Sequence, residues 1–149
     1  TYSIPGIRVG WVASNTEVAD ILRDYRDYTM ICAGVFDDMV ATLVLENKEA
    51  ILERNRQIVE ENLALMDEWI AKEPKASWIR PASVSTSFVK LDVNRPIEDF
   101  ALELLQDYGV LVVPGNRFDK ESHVRIGYCC DKEVLQKGLE KLSQFLNKC

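Results

Sequence analysis

Gly109-Val110-Leu111-Val112-Val113-Pro114-Gly115, then Phe118 and His123-Val124-Arg125-Ile126-Gly127-Tyr128, is the stretch on which the reading of the fold turns. Val110 to Val113 reads as a short buried strand, stopped where Pro114-Gly115 make a turn. Val124 to Tyr128 reads as another strand. Period two places Val124, Ile126 and Tyr128 on one face, and His123, Arg125 and Gly127 on the other. Arg125 therefore projects beside a glycine, with open space next to its fork. That arrangement suits bidentate capture of a carboxylate; the alternative is an arginine on the solvated face of an edge strand.

Working outward, Asp131 is placed to cap a final helix carrying Val134, Leu135, Leu139, Leu142 and Phe145 on one face. Upstream, Pro96 fits the first turn of a helix carrying Phe100, Leu104 and Leu105 and ended by Gly109. Ser85 to Val93 (STSFVKLDV) alternates as a strand, with Phe88 set apart from Lys90 and Asp92. The longest element runs from Lys48 to Lys72, with Ile51, Leu52, Ile58, Val59, Leu63, Leu65, Met66, Trp69 and Ile70 at three-and-four spacing, closed by Pro74. At 1.5 Å per residue it spans about 36 Å and is expected to lie across the domain and connect its parts. Val35 to about Glu46 reads as a helix after a loop from Tyr28 to Gly34. Ser14 and Glu17 offer a capping box for an amphipathic helix to about Asp27, bearing Val18, Ile21, Leu22 and Tyr25. Ile7 to Ala13 (IRVGWVA) reads as a strand buried on both faces. The order predicts an α+β domain, helices packed on a small, mostly antiparallel sheet.

The 149 residues suffice for a real core, and 47% are apolar. A net charge of −6 argues against a nucleic-acid binder, which would carry a basic face. A small anionic ligand needs only one or two placed arginines. Four cysteines (Cys32, Cys129, Cys130 and Cys149) show no CxxC spacing, and His123 is the one histidine, so no metal site is expected. Reduced, partly buried thiols point to the cytoplasm. No apolar run reaches the roughly 20 residues of a membrane span, and no signal peptide is visible. A strand-like sequence follows Thr1 at once, so the chain is expected to begin inside something larger.

The other segment with chemical content is Ser3-Ile4-Pro5-Gly6-Ile7-Arg8-Val9-Gly10-Trp11. Pro5-Gly6 makes a turn and Arg8 opens an otherwise apolar strand. A guanidinium entering a buried strand needs an anionic partner, since leaving it unpaired costs on the order of several kcal/mol. The alternative is an arginine at a strand end that reaches solvent or a nearby carboxylate.

Together, TYSIPGIRVGW and the later GVLVVPGNRF and HVRIGY runs resemble the class I/II aminotransferases of the fold-type I pyridoxal-phosphate family. The resemblance covers essentially the whole chain. It implies that residues 1–34 are a remnant of the large cofactor-binding domain and that residues 35–149 are the small C-terminal domain with its long connecting helix. It assigns Arg8 to the phosphate of pyridoxal 5′-phosphate and Arg125 to the substrate α-carboxylate. The family's Schiff-base lysine stands eight positions before the phosphate arginine, immediately before Thr1, so no catalytic residue is expected in this chain and the fragment alone is expected to be inactive. Without the large domain's sheet, residues before about Ser14 are expected to pair with another chain or to rearrange. The full-length parent is implied to be a homodimer acting on an amino acid and a 2-oxo acid. RDYT (26–29), VFDD (35–38) and ILERNR (51–56) look closest to the capreomycidine-synthase-like branch. Two other readings stay open: a fold-type I enzyme catalysing cyclisation or elimination, and a stand-alone amino-acid-binding module.

Other residues offer less. His123, Asn116 and Tyr28 are weaker choices for lining the site. Asp37 and Asp38 point about 100° apart on a helix, which suits the helix start better than acid–base work. Cys129-Cys130 with His123 could form a Cys-His nucleophile only if the strand continues past Tyr128, and no third orienting group is evident. Trp11, Trp69 and Trp78 read as core or interface aromatics.

Overall fold

The computed structural model describes residues 2–148 and divides the chain into two compact units, Thr1–Asn55 and Arg56–Cys149. The first holds a 3-10 turn at Pro5–Ile7, helix α1 at Thr16–Thr29, helix α2 at Val35–Glu46, and the start of helix α3 at Lys48–Lys72. The expected strand over residues 7–13 does not form. After the turn the backbone is irregular to Asn15, with Trp11 69% and Val12 72% exposed. A strand exists by virtue of its neighbours' hydrogen bonds, and no strand is available to it among the described residues of this unit. Ile4, Ile7, Val9 and Trp11 gather instead beside Ala41, Val44 and Leu45 of α2.

The α1 cap also differs from expectation. Asn15, not Ser14, occupies the N-cap, and its Oδ1 accepts from the Val18 amide at 3.0 Å. Ser14 donates instead to the Asn15 carbonyl at 3.2 Å, and no reciprocal box with Glu17 forms. Val18, Ile21, Leu22 and Tyr25, the predicted apolar stripe, are all exposed. Asp37 and Asp38 fall in the first turn of α2, where the helix dipole favours them.

The second unit is the α+β body. It contains the rest of α3, strand β1 at Ala76–Trp78, β2 at Thr86–Leu91, helix α4 at Ile97–Tyr108, β3 at Val113–Pro114, a 3-10 turn at Gly115–Phe118, β4 at His123–Gly127 and helix α5 at Lys132–Leu146. The sheet runs β1-β2-β4-β3 and every pairing is antiparallel. Met66, Val89, Leu91, Ile97, Phe100, Leu104, Val124, Tyr128, Leu142 and Leu146 form the dry centre between helices and sheet. α4 stops at Gly109, whose φ of 68° lets the chain turn back through two carbonyl contacts. Asp131 caps α5 as expected, accepting from the Glu133 and Val134 amides.

Four local readings are corrected. β1 went unpredicted, since three residues are too short to show a period. On β2 the core face is Ser87, Val89 and Leu91, so Phe88 shares the outer face with Lys90. β3 begins only at Val113 and includes Pro114; Leu111 is 75% exposed. Proline is tolerated there because β3 is the sheet edge and needs no outward donor. On α5, Val134 is exposed and Leu146 completes the buried face.

Candidate functional site

Arg125 is the central residue of β4 and points away from the core, as the alternation requires. Its cross-strand partner on β2 is Phe88, and its guanidinium carbon lies 5.3 Å from the centre of the Phe118 ring. Phe118 meets Phe88 edge-on with centroids 5.9 Å apart, and Phe88 stacks on His123 at 4.9 Å. Thr86, Ser87, Phe88, Phe118 and Arg125 line an open depression of about 250 Å³. A methyl at Gly127, the next outward position of β4, would meet nothing within 4 Å. Among the described residues Arg125 has no carboxylate partner. The result is a cation resting on an aromatic face, its hydrogen-bond fork free to receive an anion from solvent.

Two devices hold that fork in place. One is the turn carrying Phe118. Glu98, in the first turn of α4, accepts from Asn116 Nδ2 at 2.6 Å and pairs with Arg117. Gly115 enters the turn buried against backbone: a Cβ there would lie 2.2 Å from the Lys120 carbonyl oxygen and 2.4 Å from that of His123. The other device anchors the far end of β4. Asn62, buried on α3, donates through Nδ2 to the Tyr128 carbonyl at 2.7 Å and the Cys130 carbonyl at 2.9 Å. Tyr128 itself donates its hydroxyl to the Val84 carbonyl.

His123 flanks the depression. Burial pushes its pKa below the ordinary 6.5, and Lys120 and Lys90 push it further down. Its imidazole is therefore mainly neutral near pH 7 and adds no second cation beside Arg125.

Arg8 lies in the other unit. It is exposed, with a left-handed φ of 49°, and its Nη1 donates to the Pro5 carbonyl at 3.1 Å. The anticipated burial in a strand does not occur, so the cost of an unpaired buried charge does not arise. Among the described residues it too has no carboxylate partner, and most of its five donors remain uncommitted.

Cys32, Cys129 and Cys130 are free and exposed rather than partly buried, and Cys149 lies outside the described residues. β4 ends at Gly127, so Cys129 does not extend the His123 face and the Cys-His nucleophile loses its geometry. Desolvation also raises both Cys129 and Cys130 thiol pKa values, away from thiolate. No metal-binding cluster occurs among the described residues, and none of their helices is long and apolar enough to cross a membrane. Trp69 is buried with its indole donating to Ser143 Oγ at 2.8 Å, Trp78 packs at the core's edge and Trp11 is exposed. Tyr28 is 89% exposed on the first unit. Phe88, Glu98 and Asn62 escaped the sequence reading because each acts across the fold rather than along the chain.

Residues 1–142 match the family described as aminotransferase class I and II. A PLP-dependent aminotransferase from Streptococcus suis 89-1591 is 67% identical and superimposes with a TM-score of 0.95, over 99% of this chain and 40% of that one. Capreomycidine synthase from Streptomyces vinaceus is 30% identical over 97% of this chain and 38% of its own length. A PLP-dependent cyclase structure is 27% identical with a TM-score of 0.91, covering 99% of this chain and 41% of its own. The chain thus spans about two fifths of the length of these relatives.

Proposed function

The chain belongs to the class I and II aminotransferase family, and from that premise we propose that it is the C-terminal part of a pyridoxal-phosphate-dependent enzyme that moves an amino group between an amino acid and a 2-oxo acid. The observation that carries the proposal is the unpaired guanidinium of Arg125, set on Phe118 beside the open Gly127 position. In this reading residues 1–34 belong to the large cofactor-binding domain and residues 35–149 to the small domain.

One observation fits the cofactor. Arg8 follows a Pro-Gly turn, is exposed and keeps donors free, as a phosphate contact needs. Arg125 is suited to the planar carboxylate of the substrate rather than to the cofactor. Pyridoxal phosphate, when bound, supplies the electron sink that makes the substrate's α-carbon acidic. Arg8 anchors the phosphate end against the forces of each turnover. Arg125 holds the substrate by two parallel N–H···O bonds, which fixes the orientation of the α-carbon. Neutral His123 and the Phe88–Phe118 pair wall the carboxylate from water on one side and strengthen the ion pair by lowering the local dielectric.

In this reading Arg8 and Arg125 bind and orient, the proton is moved by a lysine eight positions before Arg8, as the family resemblance implies, and the two arginines without that lysine do not suffice for turnover. The parent is taken to be a homodimer, as the family resemblance implies, and three free, exposed cysteines suit a reducing compartment such as the cytoplasm. A second reading, cyclisation at the same amino acid centre, draws support from the likeness to capreomycidine synthase and to the cyclase. Both readings use Arg125 identically. Product analysis of the full-length parent with a panel of L-amino acids separates them: 2-oxo acid formation that depends on an acceptor oxo acid supports amino transfer, and a cyclised amino acid formed without an acceptor refutes it.

A further inference from the structure

We propose that Cys129 and Cys130 form a dithiol site for monosubstituted trivalent arsenicals and related soft electrophiles that need two protein thiols. The two are adjacent, free and exposed, on the irregular link between β4 and α5. Among the described residues no third metal-ligating group joins them. A metal ion requiring four ligands is thereby poorly served, whereas an organoarsenic centre already bonded to one carbon asks for two sulfurs only. Soft thiolate donors match such a centre in kind.

The alternative fate of such a pair is a disulfide, and the backbone opposes it. Consecutive Cα atoms are about 3.8 Å apart, while disulfides span about 4.4–6.8 Å between Cα atoms, with strain outside that range. Closing the bond requires the intervening peptide to distort. Here Asn62 grips the carbonyls of Tyr128 and Cys130 on either side, at 2.7 and 2.9 Å, and resists that distortion. An arsenic atom bridging the two sulfurs relaxes the requirement, because it lengthens the link by one atom. Burial raises both thiol pKa values, so the two sulfurs rest mainly as S–H, the form written in the condensation with an arsenoxide. The step balances: R–As=O and two S–H groups give two As–S bonds and one water, with no change of oxidation state.

The test is phenylarsine oxide added to the reduced full-length parent, read by intact mass and by peptide mapping. The expected result is an adduct on the peptide holding Cys129 and Cys130, released by a dithiol such as ethanedithiol and resistant to an equal concentration of a monothiol. Cys129→Ser and Cys130→Ser each abolish it, while Cys32→Ser leaves it intact. Mapping the wild-type adduct asks the same question without relying on a variant's folding. No adduct on this peptide in the folded parent, or an adduct that survives either serine variant, overturns the proposal.

Discussion

Asn62→Ala separates the clamp on β4 from ordinary helix propensity, because the two predict opposite signs. Asn62 sits within α3, exposed to only 2%, and spends both amide hydrogens on carbonyls of the β4–α5 link. Judged as a helix residue alone, alanine is the better choice by up to about 0.7 kcal/mol. Judged by its contacts, the change is costly. The carbonyl of Tyr128, a residue with no exposed surface, loses its Asn62 donor, which costs about 1–3 kcal/mol. Cys130 is exposed, so its carbonyl can turn to water, and its loss adds about 0.5–1.5 kcal/mol. Net destabilisation of about 1–4 kcal/mol follows, lowering Tm by roughly 2–16 °C for a chain of this size. Urea unfolding monitored by far-UV circular dichroism measures it. Asn62→Asp keeps the shape but replaces the donor with an acceptor facing two carbonyls, and it should fare no better than alanine. An alanine variant as stable as wild type, or more stable, refutes the clamp.

Gly115→Ala forces a methyl into the Lys120 and His123 carbonyl oxygens and should cost about 1–3 kcal/mol in the same urea experiment, since backbone must move. Met66→Ala empties a position with no exposed surface at the centre of the core and should cost about 2–5 kcal/mol by thermal or urea unfolding. His123 is held below its ordinary 6.5, so the unfolded chain binds the proton more readily than the folded one; the stability this gives is complete above pH 6.5 and is lost as pH falls through the folded value. Stability measured against pH should therefore fall less steeply below 6.5 in His123→Phe than in wild type, and equal slopes would count against the burial of the imidazole.

Most of the helices and the central strand were legible because their signals are local. α2, α3, α4 and α5 announce themselves by apolar spacing and by Gly109 and Asp131 at their ends. The two faces of β4 follow from alternation alone, and they place Arg125 outward. What failed was whatever depends on a distant partner. IRVGWVA has the composition of a buried strand, yet composition cannot supply the neighbouring strand whose hydrogen bonds would make it one. Phe88 was misplaced because β2 bears apolar residues on both faces: Val89 and Leu91 fill the core, and Phe88 serves the site. Glu98 reaches Asn116 and Arg117 some eighteen residues away, and no spacing rule connects a helix start to a later turn.

The central claim is that Arg125 receives the substrate's α-carboxylate, and Arg125→Lys in the full-length parent tests it most directly. Lysine keeps the charge but loses the fork, so one charge-assisted hydrogen bond of about 1.5–3 kcal/mol disappears. The quantity to measure is kcat/KM for the best amino acid and for its matching 2-oxo acid, alongside the stoichiometry of bound pyridoxal phosphate. A fall of roughly 10- to 100-fold in kcat/KM for both substrates, with cofactor content unchanged, is the result expected from that loss. Unchanged kcat/KM, or a loss of cofactor in its place, would contradict the role assigned to Arg125.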